Sequence, residues 1–535
     1  MYNKINIIIF GLFCAFCNAQ LLPANRYYNP DVMGALIWDN TVGNSQVDNG
    51  SGTWNSTNTT WLQTATSANQ AWVAGGNAIF GGNLGNGAAG TVTVSGTQNV
   101  KSMFFNNTPS GNFLIQSGNL NLLGGLITTN QDATISSTLQ GGGNFIKKGL
   151  SNLILTGNNT FSGSITVSEG GLYLGTSTAI GTTNVILGDS GTGNSDIEWR
   201  WAGGFTPSNN IVVSSQGTGQ VLIGAYSSGL YTIHSGNINI NRDITFYDAS
   251  NDRSSFTGVI SGTTNFLTID GLGTWNPTIG QVARVTFDNT ANTFVATIRI
   301  LVGKAFQMNS SGSINKNKIE VNGNLVLNVG ANNTAIIGAL DGASTGICEI
   351  HSTVTGPQTF SIGNDNGNGI YNGIFRNGLG NQVVNLLKTG TGTQLLNGTS
   401  THTGTTTVNN GILGGTGTFS NTSSTTVSGT GILQGGTGIG NAGTLNVRNL
   451  NFTSSTSGIN VYSNGTTLSQ INVTGTCNFG TASKINLMQA MPTGTFTIIS
   501  SSGTMSGTNP TIGTNLSGRT ATITKVGNTL RVTLT

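Results

Sequence analysis

The chain contains 535 residues, of which 7% are charged and 81 are glycine. Because helices of soluble proteins carry charged outer faces, this composition excludes a mainly helical fold. Hydrophobic residues make up 36% of the chain, which is enough for a thin, continuous core. The net charge of +3 comes from scattered residues without a basic run, and this argues against a nucleic-acid partner.

The N-terminal residues have the features of a secretory signal. They read MYNKINIIIFGLFCAFCNAQ, with an apolar run from Ile5 to Phe16 and a small residue at Ala19. This run is too short to cross a bilayer. We therefore predict that residues 1–19 are removed and that the mature chain begins at Gln20 without a transmembrane segment. The protein is then exported to the outer cell surface or the medium.

Aromatic residues are concentrated in residues 20–90. We predict that this segment forms the N-terminal cap and the first coils of a fold in which β-coils stack on one another. A stack of β-coils exposes an open edge at its end, and large aromatic side chains cover such an edge efficiently. The alternative is a carbohydrate platform, because exposed indole faces stack on sugar rings. The residues concerned are Trp38, Trp54, Trp61, Trp72 and Phe80.

Residues 91–443 are predicted to form a long succession of short strands. Apolar and polar residues alternate, and glycine or asparagine interrupts the pattern roughly every 8 to 12 residues. Glu198, Trp199, Arg200 and Trp201 form an unusual charged and aromatic tetrapeptide. It is typical of a strand with both tryptophans on one face, and the alternative is a ligand contact by Trp199 and Trp201.

The densest group of charges lies between residues 237 and 262. Asp243, Asp248 and Asp252 occur there together with Arg242 and Arg253. Three acids could bind Ca²⁺, or two could act as acid and base in glycoside cleavage. Their spacing does not follow the alternate-position ligand pattern of a Ca²⁺ loop, however, and the arginines are close enough to neutralise two acids. The sequence therefore favours a solvated, ion-paired turn over a ligand site.

A stretch at residues 147–175 recurs at residues 388–415. A fixed spacing of glycines around short aliphatic runs is typical of stacked β-coils, since glycine allows the corners and aliphatic side chains fill the interior. The matched positions are Lys147, Gly149, Gly157, Gly163 and Gly170 in the first copy and Lys388, Gly390, Gly398, Gly404 and Gly411 in the second.

Both copies resemble the autotransporter-associated β-strand repeat of bacterial surface and secreted proteins. They share its Lys-x-Gly start, its central run of leucine-like residues, and its closing Thr-x-Val and Gly-x-Leu segments. The resemblance implies an all-β fold, a right-handed single-stranded parallel β-helix. Residues 444–535 resemble the closing coils of such passengers. A complete autotransporter of this family continues into a membrane barrel, so we expect another export route or release without an anchor.

After removal of the signal, the chain retains two of its four cysteines. Cys17 suggests a lipoprotein, but Phe16 is bulky where a lipid-attachment signal has a small residue. Cys348 and Cys477 are several coils apart in a stacked fold, and cysteines whose Cα atoms lie more than about 7 Å apart cannot form a disulfide. We predict two free, buried thiols.

The sequence favours a structural or adhesive role over catalysis. Acids are few, and His234, His351 and His402 are scattered without metal-ligand spacing or a neighbouring nucleophile motif. We expect neither catalytic residues, metal nor cofactor. The hypothesis is a surface protein that binds glycans or matrix proteins through an extended polar face, with end-to-end self-association as a further possibility. The alternative is a polysaccharide lyase or glycoside hydrolase built on a β-helix.

Overall fold

The computed structural model describes residues 35–44, 47–63, 66–81, 85–227, 231–249, 252–274, 284–314, 316–351, 353–378 and 382–535. Within these ranges the chain consists of strands and connecting turns, with no helix. The predicted signal at residues 1–19, with Cys14 and Cys17, lies outside the described residues. No described segment is a helix long and apolar enough to cross a membrane.

Successive turns of the chain stack in register as a parallel β-solenoid with three faces, which confirms the predicted fold class. Register partners on neighbouring turns lie between 19 residues apart, as for Thr406 and Thr425, and 42 residues apart, as for Ala35 and Asn77 in the first turn. Three long strands, Thr97–Phe105, Asn119–Thr129 and Ile260–Gly271, bend around a corner and contribute to two faces each.

The first face is a column of parallel strands that begins at the N-terminal end. Besides its share of the three bent strands, it contains Ala35–Trp38, Gly76–Phe80, Phe145–Lys148, Ile165–Val167, Val185–Leu187, Ile211–Val213, Ile238–Ile240, Thr334–Ile336, Gln358–Ile362, Val384–Lys388, Thr406–Val408, Thr425–Val427, Leu450–Phe452, Cys477–Phe479 and Met505–Gly507.

The second face is the most continuous column. Besides the second half of Ile260–Gly271, it contains Gly52–Trp54, Thr91–Val94, Phe113–Gln116, Ala133–Ile135, Leu153–Leu155, Gly170–Leu174, Ile197–Trp201, Val221–Ala225, Ile244–Asp248, Val295–Ile300, Ile319–Val321, Leu340–Asp341, Gly369–Tyr371, Thr393–Leu396, Ile412–Gly414, Ile432–Gln434, Gly458–Val461, Lys484–Leu487 and Thr511–Asn515.

The third face is interrupted. Besides the first halves of Thr97–Phe105 and Asn119–Thr129, it contains Thr138–Gln140, Thr232–His234, Arg253–Phe256, Arg284–Phe287, Ala305–Met308, Asn324–Leu327, Ile347–Ile350, Ile374–Phe375, Thr444–Val447, Gln470–Val473 and Gly494–Ser501. It therefore has no described strand between residues 140 and 232, or between residues 375 and 444.

Antiparallel strands pair with the stack near both ends of the described chain. Trp61–Gln63 pairs antiparallel with Ala35–Trp38 and with Ala68–Gln70, and Thr529–Leu534 pairs antiparallel with Gly494–Ser501 and with Ala521–Val526. The remaining pair, Val47–Asp48 and Gly85–Asn86, is parallel. An antiparallel strand occupies hydrogen-bonding positions that another turn would otherwise use, so it interrupts edge-to-edge growth of that sheet.

The N-terminal tryptophans lie inside the first turns. Trp38, Trp54 and Trp61 are fully buried and Trp72 is nearly so. Their ring centroids lie 4.7 to 5.3 Å apart, in the tilted and edge-to-face arrangements that aromatic pairs prefer. The rings pack on one another and on Phe80, so they offer no flat face to a sugar.

The main apolar core runs through the stack from Leu36 to Leu534, and two smaller buried clusters lie beside it. This core results from the period-two alternation of the strands. In a segment such as Ile165–Val167, the first and last residues are buried and the central residue is half-exposed. Cys348 and Cys477 are both part of this core and both are free thiols, as predicted. Burial raises the pKa of each thiol to about 12.

Glycines at the corners allow neighbouring turns to approach closely. A Cβ atom on Gly149 would lie 2.3 Å from the carbonyl oxygen of Thr129 in the preceding turn, and one on Gly163 would lie 2.0 Å from that of Gly143. Gly149 also has a positive φ of 81°. The repeated glycine positions are thus required by contact between turns as well as by backbone conformation.

Where a face lacks a strand, buried asparagine side chains take the place of the backbone hydrogen bonds that link neighbouring turns. The Asn159 side chain accepts a hydrogen bond from the Leu139 amide at 2.7 Å and donates one to the Ala179 carbonyl at 2.5 Å. Asn292 links Ile260 and Ser313 in the same way, at 2.7 Å each. The carboxamide has both a donor and an acceptor, so it satisfies the backbone of two neighbouring turns at once.

We predict that Gly149→Ala destabilises the protein by more than about 2 kcal/mol, because an added methyl group meets the Thr129 carbonyl and the residue keeps a positive φ. Gly142→Ala is the control, since nothing lies within 4 Å of its added Cβ. Urea unfolding at neutral pH measures both variants. Equal stability of the two variants would contradict the contact between turns.

Candidate functional site

The outer surface of the solenoid is built from neutral polar ladders. Because every second residue of a strand points outward, equivalent side chains of successive turns lie one above another. Asn121 donates to Asn99 at 2.7 Å, and the same contact is made by further pairs: Asn397 with Asn372, Asn472 with Asn446, and Asn486 with Asn460. Such a surface carries little charge and offers amide and hydroxyl groups to a partner.

The tryptophans of the tetrapeptide face inward. Trp199 and Trp201 are fully buried, and the Trp201 ring packs near His234 and Phe256 at centroid distances of 5.5 and 6.1 Å. Neither indole has a face open to solvent. The alternation of the strand instead places Glu198 and Arg200 on the outer side.

Arg200 forms a stack with two tyrosines across neighbouring turns. Its guanidinium carbon lies 4.4 Å from the ring centroid of Tyr247 and 5.8 Å from that of Tyr173. The guanidinium also donates to the Ala225 carbonyl, at 3.1 Å from Nε and 2.6 Å from Nη2. Gly224 separates Arg200 from Tyr247 in the register, and a Cβ atom on it would lie 1.8 Å from the Tyr247 carbonyl oxygen.

The predicted acidic cluster is divided by the structure. Asp243 accepts hydrogen bonds from the amides of Asn265 at 3.0 Å and Phe266 at 2.8 Å, so it caps a corner of the next turn. Asp248 is buried and accepts a hydrogen bond from Ser254 at 2.8 Å. Asp252 forms an ion pair with Arg284, at 3.3 Å.

The acids of this segment thus have three different structural environments. Arg253 stacks over the ring of Tyr231, 4.2 Å from its centroid. Across the described part of the chain, no group of three or more His, Cys, Asp or Glu side chains is placed to hold a metal ion.

A shallow cleft lies at the corner between the third and first faces, where the third face is interrupted. Its volume is about 410 Å³. Two consecutive turns form its walls, and it is lined by hydroxyl and amide side chains around Phe161: Asn159, Thr160, Ser162, Ser164, Thr182, Thr183 and Asn184, together with Gly181. This cleft could not be predicted from the sequence, since serine, threonine and asparagine occur throughout the chain.

Two segments of the chain, residues 145–174 and 386–414, match the passenger-associated-transport-repeat family. This chain carries passenger-associated transport repeats. A stretch of 240 residues, 44% of the chain, is 32% identical to the adhesin BmaC autotransporter of Brucella suis biovar 1 (strain 1330). The stretch covers only 7% of that protein. No solved structure matches the chain.

The comparisons confirm the resemblance to autotransporter repeats. The matched segments begin two residues before, and end one residue before, the stretches predicted at 147–175 and 388–415. In the structure, each passenger-associated repeat runs from a first-face strand, Phe145–Lys148 or Val384–Lys388, through the second face and once more around the stack. Each repeat is therefore a little more than one turn.

The lysine of each passenger-associated repeat is buried, although lysine is usually exposed. The Lys147 ammonium donates to the carbonyls of Lys148, Gly149 and Glu169 at 2.8 to 2.9 Å. It therefore ties its own corner to the corner of the next turn. Burial lowers the pKa of Lys147 to about 7, although the negative charges of Glu169 and Asp132 act to raise it.

Lys388 repeats this arrangement in the second copy. Its ammonium donates to Thr389 at 2.5 Å, to Gly390 at 3.0 Å and to Asn410 at 3.4 Å, all through carbonyl oxygens. Burial lowers its pKa to about 8. Asn410 occupies the position of Glu169, so the second corner lacks the neighbouring carboxylate. The role of these lysines was not predicted, because the sequence pattern gives their position but not their burial.

His402 occupies the place that Phe161 has in the first passenger-associated repeat. It is fully buried between Phe375 and Phe419, with ring centroids 6.0 Å from each. Burial lowers the pKa of His402 to about 4, and that of the buried His234 likewise to about 4. Both imidazoles are therefore neutral at pH 7 and serve as aromatic core residues.

We predict that Lys147→Met destabilises the protein by about 2 to 3 kcal/mol at pH 6, where the side chain is an ammonium, because it leaves three buried carbonyls without their donor. The folded pKa lies below the unfolded value of 10.5, so the folded state binds this proton less tightly. The stability difference between wild type and variant should be constant below pH 7 and should grow as the pH rises from 7 to 10.

Urea unfolding at a series of pH values tests this dependence, with Lys148→Met as the control because the Lys148 side chain is half-exposed. Each pH unit in the window corresponds to at most about 1.4 kcal/mol for one group. A difference curve that is flat from pH 7 to 10, or the same slope in the control, would show that Lys147 is not buried as described.

We predict that His402→Phe reduces the acid sensitivity of the protein. The folded pKa of about 4 lies below the unfolded value of 6.5, so His402 destabilises the folded state as the pH falls from 6.5 to 4. The full effect is about 3 kcal/mol. Thermal unfolding at pH 7 and at pH 4.5 measures this effect. An equal decrease of the unfolding temperature in wild type and variant between the two pH values would contradict a buried neutral imidazole.

Proposed function

We propose that this chain is an adhesive segment of an exported, surface-displayed passenger protein. The observation that carries the proposal is the 32% identity, over 240 residues, to a protein named as an autotransporter adhesin. Two passenger-associated repeats support it. The protein would be located on the outer cell surface or in the medium, and it would contact its partners through the outer faces of the solenoid.

The physical properties of the outer faces support such a role. Their side chains are held by ladder contacts to the neighbouring turns, so a partner meets a surface that is already ordered. The same groups recur along the stack, which allows many weak contacts to act together. We propose glycans or matrix proteins as the partners, since both present numerous hydrogen-bonding groups.

We propose a non-enzymatic function because the acidic side chains serve structural contacts. Glycoside hydrolysis requires a pair of carboxyl groups about 5 to 9.5 Å apart on either side of the substrate. Here Glu198 pairs with Arg200, Glu320 with Arg299, and Glu349 with Arg376. Release of reducing ends from a polysaccharide by the purified protein would overturn this part of the proposal.

We predict that beads coated with the full chain adhere to immobilised glycans or matrix proteins about tenfold or more better than beads coated with an unrelated protein. Because few charges lie on the surface, adhesion should persist at about 0.5 M salt, where the Debye length is only about 4 Å. Bead counting under flow measures both conditions. Adhesion no better than that of the control beads would exclude the adhesive function, and its loss in salt would exclude binding by neutral faces.

A further inference from the structure

We propose that the cleft around Phe161 binds an uncharged sugar unit of a glycan. The inference rests on the proposed adhesive function and assigns one binding site within it. The residues that we assign to recognition are Thr160, Ser162, Thr182, Thr183 and Asn184, with Phe161 as the floor.

The cleft exists because the third face is interrupted at this level. Between Thr138–Gln140 and Thr232–His234 no described strand closes this face, and the chain passes the corner in turns. The buried Asn159 and Asn209 keep the backbone of these turns satisfied, with Asn209 donating to the carbonyls of Gly181 and Thr183 at 2.9 and 2.8 Å. The Asn209 side chain thus satisfies the Gly181 and Thr183 carbonyls at the corner.

Uncharged hydrogen-bonding groups surround the cleft. Thr160, Ser162, Thr182 and Asn184 are exposed, and within the described part of the chain their side chains make no hydrogen bond to another residue. Hydroxyl groups both donate and accept, and the carboxamide does both at separate atoms. The hydroxyl groups of a sugar have the same dual capacity, so every contact can be satisfied in either direction.

Phe161 lies below these polar groups at the inner end of the cleft. Its side chain is almost completely buried and its ring lies 5.9 Å from that of Phe145, so it is fixed by the core. Because so little of this ring is exposed, recognition of the sugar depends on the surrounding hydroxyl and amide groups. An ionic ligand is disfavoured, because no charged side chain lines the cleft to replace its hydration.

The equivalent corner of the second passenger-associated repeat has one of its hydroxyl groups already engaged. There Thr403, which corresponds to Ser162, accepts a hydrogen bond from Asn377 at 2.8 Å. The backbone contact to the next turn is shared by the two copies: the Ser400 amide donates to the Thr418 carbonyl at 2.9 Å, and the corresponding Asn159 amide donates to the Thr178 carbonyl at 3.3 Å. His402 is completely buried in the place of Phe161. The second copy therefore differs from the first in the hydroxyl group at the Thr403 position and serves as a comparison for it.

The test uses the full chain and a panel of immobilised neutral and acidic oligosaccharides. Thr160→Lys places a long charged side chain at the mouth of the cleft, and Thr401→Lys places the same side chain at the equivalent exposed position of the second repeat. We expect the wild type to bind neutral oligosaccharides, Thr160→Lys to bind them at least about tenfold more weakly, and Thr401→Lys to bind them as the wild type does.

Thr183→Val is a second variant that removes one hydroxyl group while keeping the shape of the side chain. We expect a smaller loss, about threefold to tenfold, and an unchanged urea midpoint for the lysine variants. No binding to any neutral oligosaccharide, or equal binding by the two lysine variants, would overturn the assignment. If Thr160→Lys retains glycan binding while the coated beads still adhere, the cleft is excluded and the adhesive function remains.

Discussion

The close approach of successive turns at the corners is the constraint on which this structure depends. Parallel strands stack about 4.8 Å apart, and the chain must turn between faces without pushing the next turn away. At Gly163 an added Cβ would lie 2.0 Å from a carbonyl oxygen of the preceding turn, and at Gly404 it would lie 2.2 Å from one. Glycine at these corners keeps the turns in register, and the register in turn places every second side chain in the core.

Burial of polar groups follows from the same constraint. A corner that closes tightly leaves carbonyl groups inside, and they must be satisfied by a donor that reaches them. Lys147 and Lys388 supply that donor in the two passenger-associated repeats, while Asn159 and Asn292 supply it where a face lacks a strand. Charge is thus used within the structure as well as on its surface, at the cost of desolvating the ammonium groups.

Much of the fold could be predicted because its causes are local in the sequence. Period-two alternation predicts strands, and regularly spaced glycines predict corners, so the stacked solenoid follows from residues such as Gly149, Val167 and Gly170. The burial of Trp199 and Trp201 follows from the same alternation. The antiparallel pairing of Thr529–Leu534 was not predicted, because alternation does not distinguish strand direction.

The candidate site was harder to predict, because it depends on neighbours that are far apart in the sequence. The Arg200 stack requires Gly224 one turn later and Tyr247 two turns later. The cleft requires the third face to be interrupted, which no single residue type indicates. Nearness in sequence, conversely, does not create a site. Asp243, Asp248 and Asp252 are close in sequence but have separate structural roles.

Cross-linking of cysteines placed in register tests the stacked arrangement most directly. Thr407 and Thr426 are register partners on adjacent turns, and Asn451 is the partner of Thr426 one turn further along. Adjacent turns bring Cα atoms within the range of about 4.4 to 6.8 Å that a disulfide allows, whereas two turns separate them by about 9 to 10 Å. We expect Thr407→Cys with Thr426→Cys to form a disulfide on mild oxidation and Thr407→Cys with Asn451→Cys to remain reduced. Cross-linking of the second pair but not the first would contradict the stack.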